Sequence, residues 1–120
     1  MTIHIQTKNM DLSMPIKEYI DRRMSSLSKF GHVINLGVPI QVSIGKSTNH
    51  HKSGNIYRAE IIVSVSGKNI VAESEMEDLY ASIDKAQEEL IREITSLKTK
   101  RHTLWRRGAQ KIKKMLRGNQ

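Results

Sequence analysis

Residues 74–94, SEMEDLYASIDKAQEELIREI, decide the fold because they predict one long amphipathic helix. Apolar side chains recur at steps of four, three, four, four and three residues, as along one face of an α-helix: Leu79, Ile83, Ala86, Leu90, Ile94 and Leu97. Ser74 followed by Glu77 has the spacing of a capping box, and the acids beside it would lie near the positive end of the helix dipole. We predict that this helix begins after Ser74 and ends near Thr99.

A shorter helix is predicted nearer the N-terminus. Ser13 is a suitable N-cap, and Pro15 is tolerated in a first helical turn because its missing N–H has no partner there. Apolar residues then recur at steps of four and three as far as Phe30. We predict one continuous helix that ends at Gly31.

Alternation of apolar and polar residues predicts four strands, each with one buried face. The alternating segments are 3–7, 38–44, 57–65 and 70–72. A polar loop over 45–55 separates the second and third strands, and the turn SGKN at 66–69 leads into the fourth. The order β-α-β-β-β-α predicts an α+β fold, with a four-stranded, mainly antiparallel sheet, both helices packed on one face and the other face in water.

The 120-residue chain has a net charge of +8, and its excess of basic residues is C-terminal. Residues 1–93 hold 11 Lys/Arg against 12 Asp/Glu, whereas residues 94–120 hold 9 Lys/Arg and no acid. This length suits one domain. The chain has no cysteine and no apolar run of membrane-spanning or signal-peptide length, so we expect a cytoplasmic protein without thiolate chemistry.

The sequence has no convergent set of catalytic groups, so we predict that the protein is not an enzyme and uses no cofactor. His50 and His51 suggest a metal site, but adjacent histidines in a loop point in different directions and no carboxylate or thiolate ligand is near them. Glu89 and Glu93 share a polar helix face, where solvation explains them better than catalysis. We predict neither a catalytic nor a metal site.

The basic residues are a more informative group. On the helices and at the exit of the last one they are Arg22, Arg23, Lys29, Arg92, Lys98, Lys100 and Arg101, and further on they are Arg106, Arg107, Lys111, Lys113 and Lys114. If the helices pack side by side, these side chains form a surface that binds phosphates by charge. With one Trp, one Phe and three Tyr, base stacking explains little, so we predict structured RNA as the ligand.

Residues 101–120 form a basic tail after a predicted domain of residues 1–100. Trp105, Ile112 and Leu116 have helical spacing, but Gly108 interrupts the pattern, so we predict a flexible or marginally helical segment. Three interpretations stay open for it: an arm along RNA, an amphipathic segment on an anionic membrane surface, or a solvated tail without a specific contact.

The segment MEDLYASID at 76–84, preceded by IVAES and combined with the N-terminal KNMDL and the Ser-capped helix, resembles the ribosome hibernation-promoting factor family. Members are also described as ribosome-associated translation inhibitors, sigma-modulation proteins or ribosomal subunit interface proteins. The resemblance covers roughly residues 2–100, and it implies a β-α-β-β-β-α fold similar to double-stranded-RNA-binding domains. It further implies that residues 1–100 are a ribosome-binding domain, and that the chain is a short-form member without the second domain of long forms.

The resemblance also implies a function: a non-enzymatic hibernation factor that binds ribosomal RNA (rRNA) of the small subunit in the mRNA and tRNA channel and inhibits translation in stressed or stationary-phase cells. The implied partners are the small ribosomal subunit and its rRNA, with no small-molecule substrate and no membrane, and the free protein is expected to be a monomer. The alternative is a protein-interaction module that modulates a transcription (sigma) component.

Residue by residue, Arg23, Lys29 and Arg92 match basic positions of the family, and Lys98 and Lys100 fall in its basic helix exit. Other positions depart from the family pattern. Glu89 replaces a usual Lys and Glu93 a usual Gln, while Ser26 and Ser96 stand where Lys is frequent. These departures remove positive charge from the expected RNA face.

Overall fold

The computed structural model describes residues 1–48 and 54–97. Its elements in chain order are β1 (Ile3–Lys8), α1 (Met14–Ser25), a 3-10 helix (Ser26–Phe30), β2 (Ile40–Thr48), β3 (Asn55–Val65), β4 (Lys68–Met76) and α2, which is helical from 79 to 97. This order confirms the predicted β-α-β-β-β-α fold. The predicted end of the last helix near Thr99 and the tail predicted over 101–120 lie outside the described residues.

The four strands form one sheet in the order β1-β2-β3-β4. β1 and β2 are parallel because α1 crosses over between them, whereas β2–β3 and β3–β4 are antiparallel pairs. The sheet is therefore mixed and mainly antiparallel, as predicted.

One face of this sheet carries the core. A row across the four strands on that face consists of Ile5, Val42, Ile61 and Ala72. The helices supply the buried side chains Ile20, Met24, Leu27, Ile83, Ala86, Leu90 and Ile94, which pack in the same cluster as the strands. On the opposite face, the adjacent row consists of Gln6, Ser43, Glu60 and Glu73. Both helices therefore cover one face, and the opposite face is mainly polar, as the alternation predicts, with Ile62 and Val71 among its apolar exceptions.

The start of α2 differs from the prediction. Ser74 does not cap the helix, because β4 continues through Met76 and its ladder with β3 satisfies the backbone there. Asp78 is the cap instead, and its Oδ2 accepts a hydrogen bond of 2.9 Å from the N–H of Ala81. The Ser74 hydroxyl donates to the carbonyl of Ser82, so it ties the strand to the first turn of the helix.

The first helix was predicted to run unbroken to Phe30, but its α-helical part ends at Ser25 and the chain tightens into the 3-10 helix. Two serine hydroxyls donate to helix carbonyls at this point: Ser25 to Asp21 O (2.6 Å) and Ser26 to Arg23 O (2.7 Å). Such bonds compete with regular helix geometry, which explains the change. The predicted Ser13 cap is confirmed, since its hydroxyl accepts from the N–H of Ile16.

Two strand bounds also change. β2 begins at Ile40 rather than Val38, because Asn35 organises a turn in which its carbonyl accepts from the N–H of Val38 (3.2 Å). The strands beside the predicted 45–55 loop extend to Thr48 and from Asn55, since they keep pairing with each other. β4 is likewise longer than the predicted 70–72, and the residues 49–53 lie outside the described part of the chain.

The predicted turn between β3 and β4 is a two-residue hairpin turn. Ser66 and Gly67 both have positive φ, 52° and 78°, and the flanking Val65 and Lys68 are paired. Turns of this handedness match the twist of the flanking strands.

Candidate nucleic-acid interface

α1 and α2 lie side by side and run in the same direction. Three contacts join them in order along both helices: Tyr19 with Tyr80, Arg23 with Asp84, and Ser26 with Gln87. The two tyrosine rings meet edge to face, with centroids 4.8 Å apart. Because the residue numbers rise together on both helices, the C-terminal ends of the helices lie at the same end of the layer.

Asp84 is the polar centre of this contact. Its Oδ1 accepts a hydrogen bond from the Tyr19 hydroxyl and lies 2.9 Å from Nε of Arg23. The N–H of that Nε is not directed at any acceptor among the described residues, so charge rather than an aligned hydrogen bond holds the pair. Burial, followed by the bond to Asp84, raises the pKa of Tyr19 above its ordinary value of 10.0. The Tyr19 hydroxyl therefore remains a donor to Asp84 at neutral pH.

Gln87 fixes the end of α1. The residue is only 2% exposed, and its Nε2 donates to the carbonyl of Arg23 and to the Ser26 hydroxyl, both at 2.6 Å. A buried amide with two such bonds holds the backbone that carries Arg22 and Arg23. The exit of α1 is thereby fixed relative to α2.

Four of the residues predicted to bind RNA lie toward the shared C-terminal ends of the two helices. Arg22 and Arg23 are in the last turn of α1, Lys29 is in the last turn of the 3-10 helix, and Arg92 is in the second half of α2. Cations are favoured there because helix carbonyl ends carry partial negative charge. We call these four residues the basic end.

The members of the basic end differ in what they already contact. Arg22 and Lys29 are exposed and make no ion pair with any residue that the structure describes, although Lys29 Nζ lies 5.8 Å from the centre of the Phe30 ring. Arg23 is paired with Asp84, and Arg92 is paired with Glu89. Two cations are therefore free to meet an external phosphate, and two are held by carboxylates.

The charge of α2 is the opposite of that of the basic end. Over residues 79–97 it has two Lys/Arg, Lys85 and Arg92, against four acids, Asp84, Glu88, Glu89 and Glu93. Both cations lie beside Glu89, whose Oε1 is 3.6 Å from Lys85 Nζ and 3.1 Å from Arg92 Nη1. Within its described part, α2 thus adds net negative charge to the helix layer.

The other predicted RNA-binding residues lie outside the described residues. They are Lys98, Lys100, Arg101, Arg106, Arg107, Lys111, Lys113 and Lys114. In the sequence they begin immediately after residue 97, the last described residue of α2.

Sequence reasoning missed the residues that connect the two helices. Tyr80, Asp84 and Gln87 recur at steps of four and three, the spacing of one helix face, and this face meets α1. The spacing was available in the sequence. It was not recognised because these side chains are polar or aromatic and lie beside the apolar stripe rather than on it.

The described part of the chain has neither a candidate metal site nor a candidate membrane-spanning helix. Residues 1–48 and 54–97 include no group of three or more His, Cys, Asp or Glu side chains placed to hold a metal ion. None of the helices described is long and apolar enough to cross a membrane. His50 and His51, which suggested a metal site, lie outside these residues.

Residues 3–102 match the family model described as Sigma 54 modulation protein / S30EA ribosomal protein. The chain belongs to this family. Curated members are similar at low identity: a ribosome hibernation promotion factor of Deinococcus radiodurans is 28% identical over 93 residues, which cover 78% of this chain and 47% of the relative. A ribosome-associated factor Y of Haemophilus influenzae is 25% identical over 113 residues, 94% of this chain and 95% of the relative.

The chain spans about half the length of the first family members that it matches, including a ribosome hibernation promotion factor of Lactococcus lactis, of which 49% is covered. Two solved structures have the same fold as this chain. A ribosomal subunit interface protein of Coxiella burnetii aligns with a TM-score of 0.67 at 18% identity, over 82% of this chain and 99% of that one. The N-terminal domain of Protein Y of Thermus thermophilus aligns with a TM-score of 0.61 at 22% identity, over 81% and 99%.

Proposed function

We propose that this protein is a non-enzymatic, cytoplasmic ribosome hibernation factor that binds rRNA of the small subunit in the mRNA and tRNA channel and inhibits translation in idle or stressed cells. Membership of the S30EA family and relatives named as ribosome hibernation factors support the ribosome as the partner. The proposal goes beyond this support when it names the small subunit, its rRNA and the channel.

The basic end is the observation that carries this proposal. Parallel packing of α1 and α2 sets Arg22, Arg23 and Lys29, on α1 and the 3-10 helix, at the same end of the helix layer as Arg92 of α2. Guanidinium and ammonium groups at helix ends bind phosphates without reading bases, and this suits an RNA whose backbone is its most accessible feature. The nine Lys/Arg after residue 97 would extend the same electrostatic contact along the RNA.

Inhibition follows from occupancy rather than from chemistry. A domain that neutralises rRNA phosphates inside the channel excludes mRNA and tRNA from the same space, and no bond has to be made or broken. We therefore expect reversible binding that weakens steeply as salt rises, because each phosphate contact releases counterions.

The test is sedimentation of the 120-residue chain with purified small and large ribosomal subunits at low salt, followed by addition of mRNA and initiator tRNA. The expected result is sedimentation with small subunits and release by the added RNAs. Failure to sediment with small subunits would overturn the proposal, and binding that mRNA and tRNA leave unchanged would overturn the channel as its site.

The second candidate is a protein-interaction module that modulates a transcription (sigma) component. It is favoured by the family description, which includes sigma 54 modulation, and by the acidic exposed face of α2. Ribonuclease treatment of an affinity-purified complex separates the two candidates, because a protein partner survives it and an rRNA-mediated contact does not.

A further inference from the structure

Glu89 lies between the two cations of the described part of α2. Its Oε1 is 3.1 Å from Arg92 Nη1, with a hydrogen bond, and 3.6 Å from Lys85 Nζ. Residues 79–97 contain no other Lys or Arg. One carboxylate oxygen therefore contacts every cation of this part of the helix.

These pairs lie apart from the contact with α1. An α-helix turns by about 100° per residue, so Glu89 is about 140° around α2 from Asp84, which faces Tyr19 and Arg23. The side chains of Lys85 and Arg92 are 45% and 70% exposed. A phosphate can therefore reach both cations without disturbing the helix pair.

These ion pairs contribute little to the stability of the fold, because solvent screens exposed charges and the entropy cost of ordering two long side chains offsets most of the attraction. They matter more for binding. A phosphate and the Glu89 carboxylate are both anionic oxygen acceptors, so they compete for the same donors on Lys85 and Arg92.

We propose that Glu89 limits the affinity of this chain for RNA by occupying Lys85 and Arg92, so that α2 contributes phosphate contacts only when its carboxylate is displaced. This inference rests on the proposed function, since it concerns the same RNA-binding surface. It predicts that Arg22 and Lys29, which make no ion pair in the described chain, meet RNA before Lys85 and Arg92 do.

Glu88 offers a matched control. It is the neighbouring residue, carries the same charge and is exposed, but it makes no ion pair with any residue that the structure describes. It lies four residues before Arg92, about 40° around the helix from it, so the control shares with Glu89 the position beside this cation but not the ion pair. Glu88→Gln and Glu89→Gln therefore add the same net charge to the protein, and only Glu89→Gln frees Lys85 and Arg92.

The test is binding of the 120-residue chain and these two variants to purified small subunits across a salt series. For Glu89→Gln we expect affinity at low salt to rise by about 3- to 10-fold, and the slope of log affinity against log salt to steepen by about 1 to 2, because one or two more phosphates are contacted. Glu88→Gln is expected to change affinity by less than about twofold and to leave the slope unchanged, because it frees no cation.

A third variant checks the cause. Adding Arg92→Gln to Glu89→Gln should remove most of the gain, because the freed guanidinium is what makes the new contact. Thermal denaturation of every variant checks the fold, and all should stay close to the parent, since the changed side chains are exposed or, at Glu89, only half-buried.

Equal gains from Glu88→Gln and Glu89→Gln would overturn the inference, because general electrostatics would then explain both. A gain that survives Arg92→Gln together with Lys85→Gln would overturn it as well. If the parent and all variants fail to bind small subunits, the proposed function itself fails and this inference falls with it.

Discussion

The two helices of this protein share one core and have opposite exposed surfaces. The unit formed by α1 and the 3-10 helix, residues 14–30, has four Lys/Arg against two Asp/Glu, whereas α2 over 79–97 has two against four. Both bury the same kind of aliphatic stripe against the sheet, and Ile20 and Leu90 are both fully buried. The difference teaches that the fold depends on the apolar faces the helices share, whereas under the proposed function binding depends on the exposed faces in which they differ.

Asp84 is where the two surfaces meet. It belongs to the acidic helix, but it holds Arg23 of the basic unit and accepts from Tyr19. An acid on α2 therefore contributes to the position of a cation on α1. The opposite charges of the two helices therefore contribute to how they pack and, under the proposed function, to how they meet RNA.

The largest expected effect concerns the shared core. Ile20→Ala on α1 and Leu90→Ala on α2 should each lower the free energy of unfolding by about 2 to 5 kcal/mol, because each leaves a cavity between helix and sheet. Chemical denaturation followed by circular dichroism measures the loss. Val71→Ala, at a side chain 45% exposed on the sheet, is the control and should change stability by less than about 0.5 kcal/mol. A loss confined to one helix would contradict the shared core.

The second prediction concerns the exposed charges of the basic unit. Arg22→Gln with Lys29→Gln should weaken binding to small subunits by about 10-fold at moderate salt, since two phosphate contacts are lost. Lys8→Gln with Lys68→Gln removes the same charge from the sheet strands and serves as the control. Equal weakening by both pairs would show that net charge, rather than the basic end, determines binding.

A smaller effect is expected at the contact between the helices. Asp84→Ala should lower the free energy of unfolding by about 1 kcal/mol, because it leaves the Tyr19 hydroxyl without an acceptor and Arg23 without a counter-charge. We expect a small loss because both side chains of the ion pair are more than a third exposed, so water solvates the charge and the hydroxyl that lose their partner. Glu88→Ala, an exposed acid without an ion pair in the described chain, should leave stability unchanged in the same denaturation experiment.

The smallest effect is a dependence of stability on pH. The pKa of Tyr19 is raised above 10.0 by burial and by the bond to Asp84, so the folded protein holds this proton more tightly than the unfolded chain. The stabilisation is therefore fully present below pH 10 and is lost as pH rises above it. Denaturation between about pH 9 and about pH 11 should show a shallower fall for Tyr19→Phe than for the parent. An equal fall in both would contradict this assignment.

Periodicity alone predicts most of the fold. The apolar steps in α2 from Leu79 to Ile94 and the alternation in β3 reflect burial on one side, and burial is the strongest signal that a sequence carries. The boundaries were less predictable. Ser74 has good capping chemistry, but strand pairing of β4 with β3 is a non-local interaction that satisfies the same backbone, and a local pattern does not reveal it.

The candidate site was only partly predictable. The sequence identifies Arg22 and Lys29 as cations of α1 and its extension, but the parallel packing that sets them at the same end as Arg92 depends on Asp84 and Gln87, which act between helices. Likewise, the sequence identifies Glu89 as an acid on a polar helix face, but only the structure reveals its contact with both cations of the described part of α2. Sequence spacing shows which side chains are close enough to pair along a helix, but their rotamers decide which pairs form.

The most direct test of the central claim, that the helix layer binds small-subunit rRNA and the C-terminal cations extend the contact, is co-sedimentation with purified small subunits across a salt series. The full chain is compared with a chain ending at Arg101, which retains all described residues. The account predicts that both bind and that the shorter chain has a shallower dependence on salt, because the six Lys/Arg between Arg106 and Arg117 are gone. If neither chain binds at low salt, the account is contradicted.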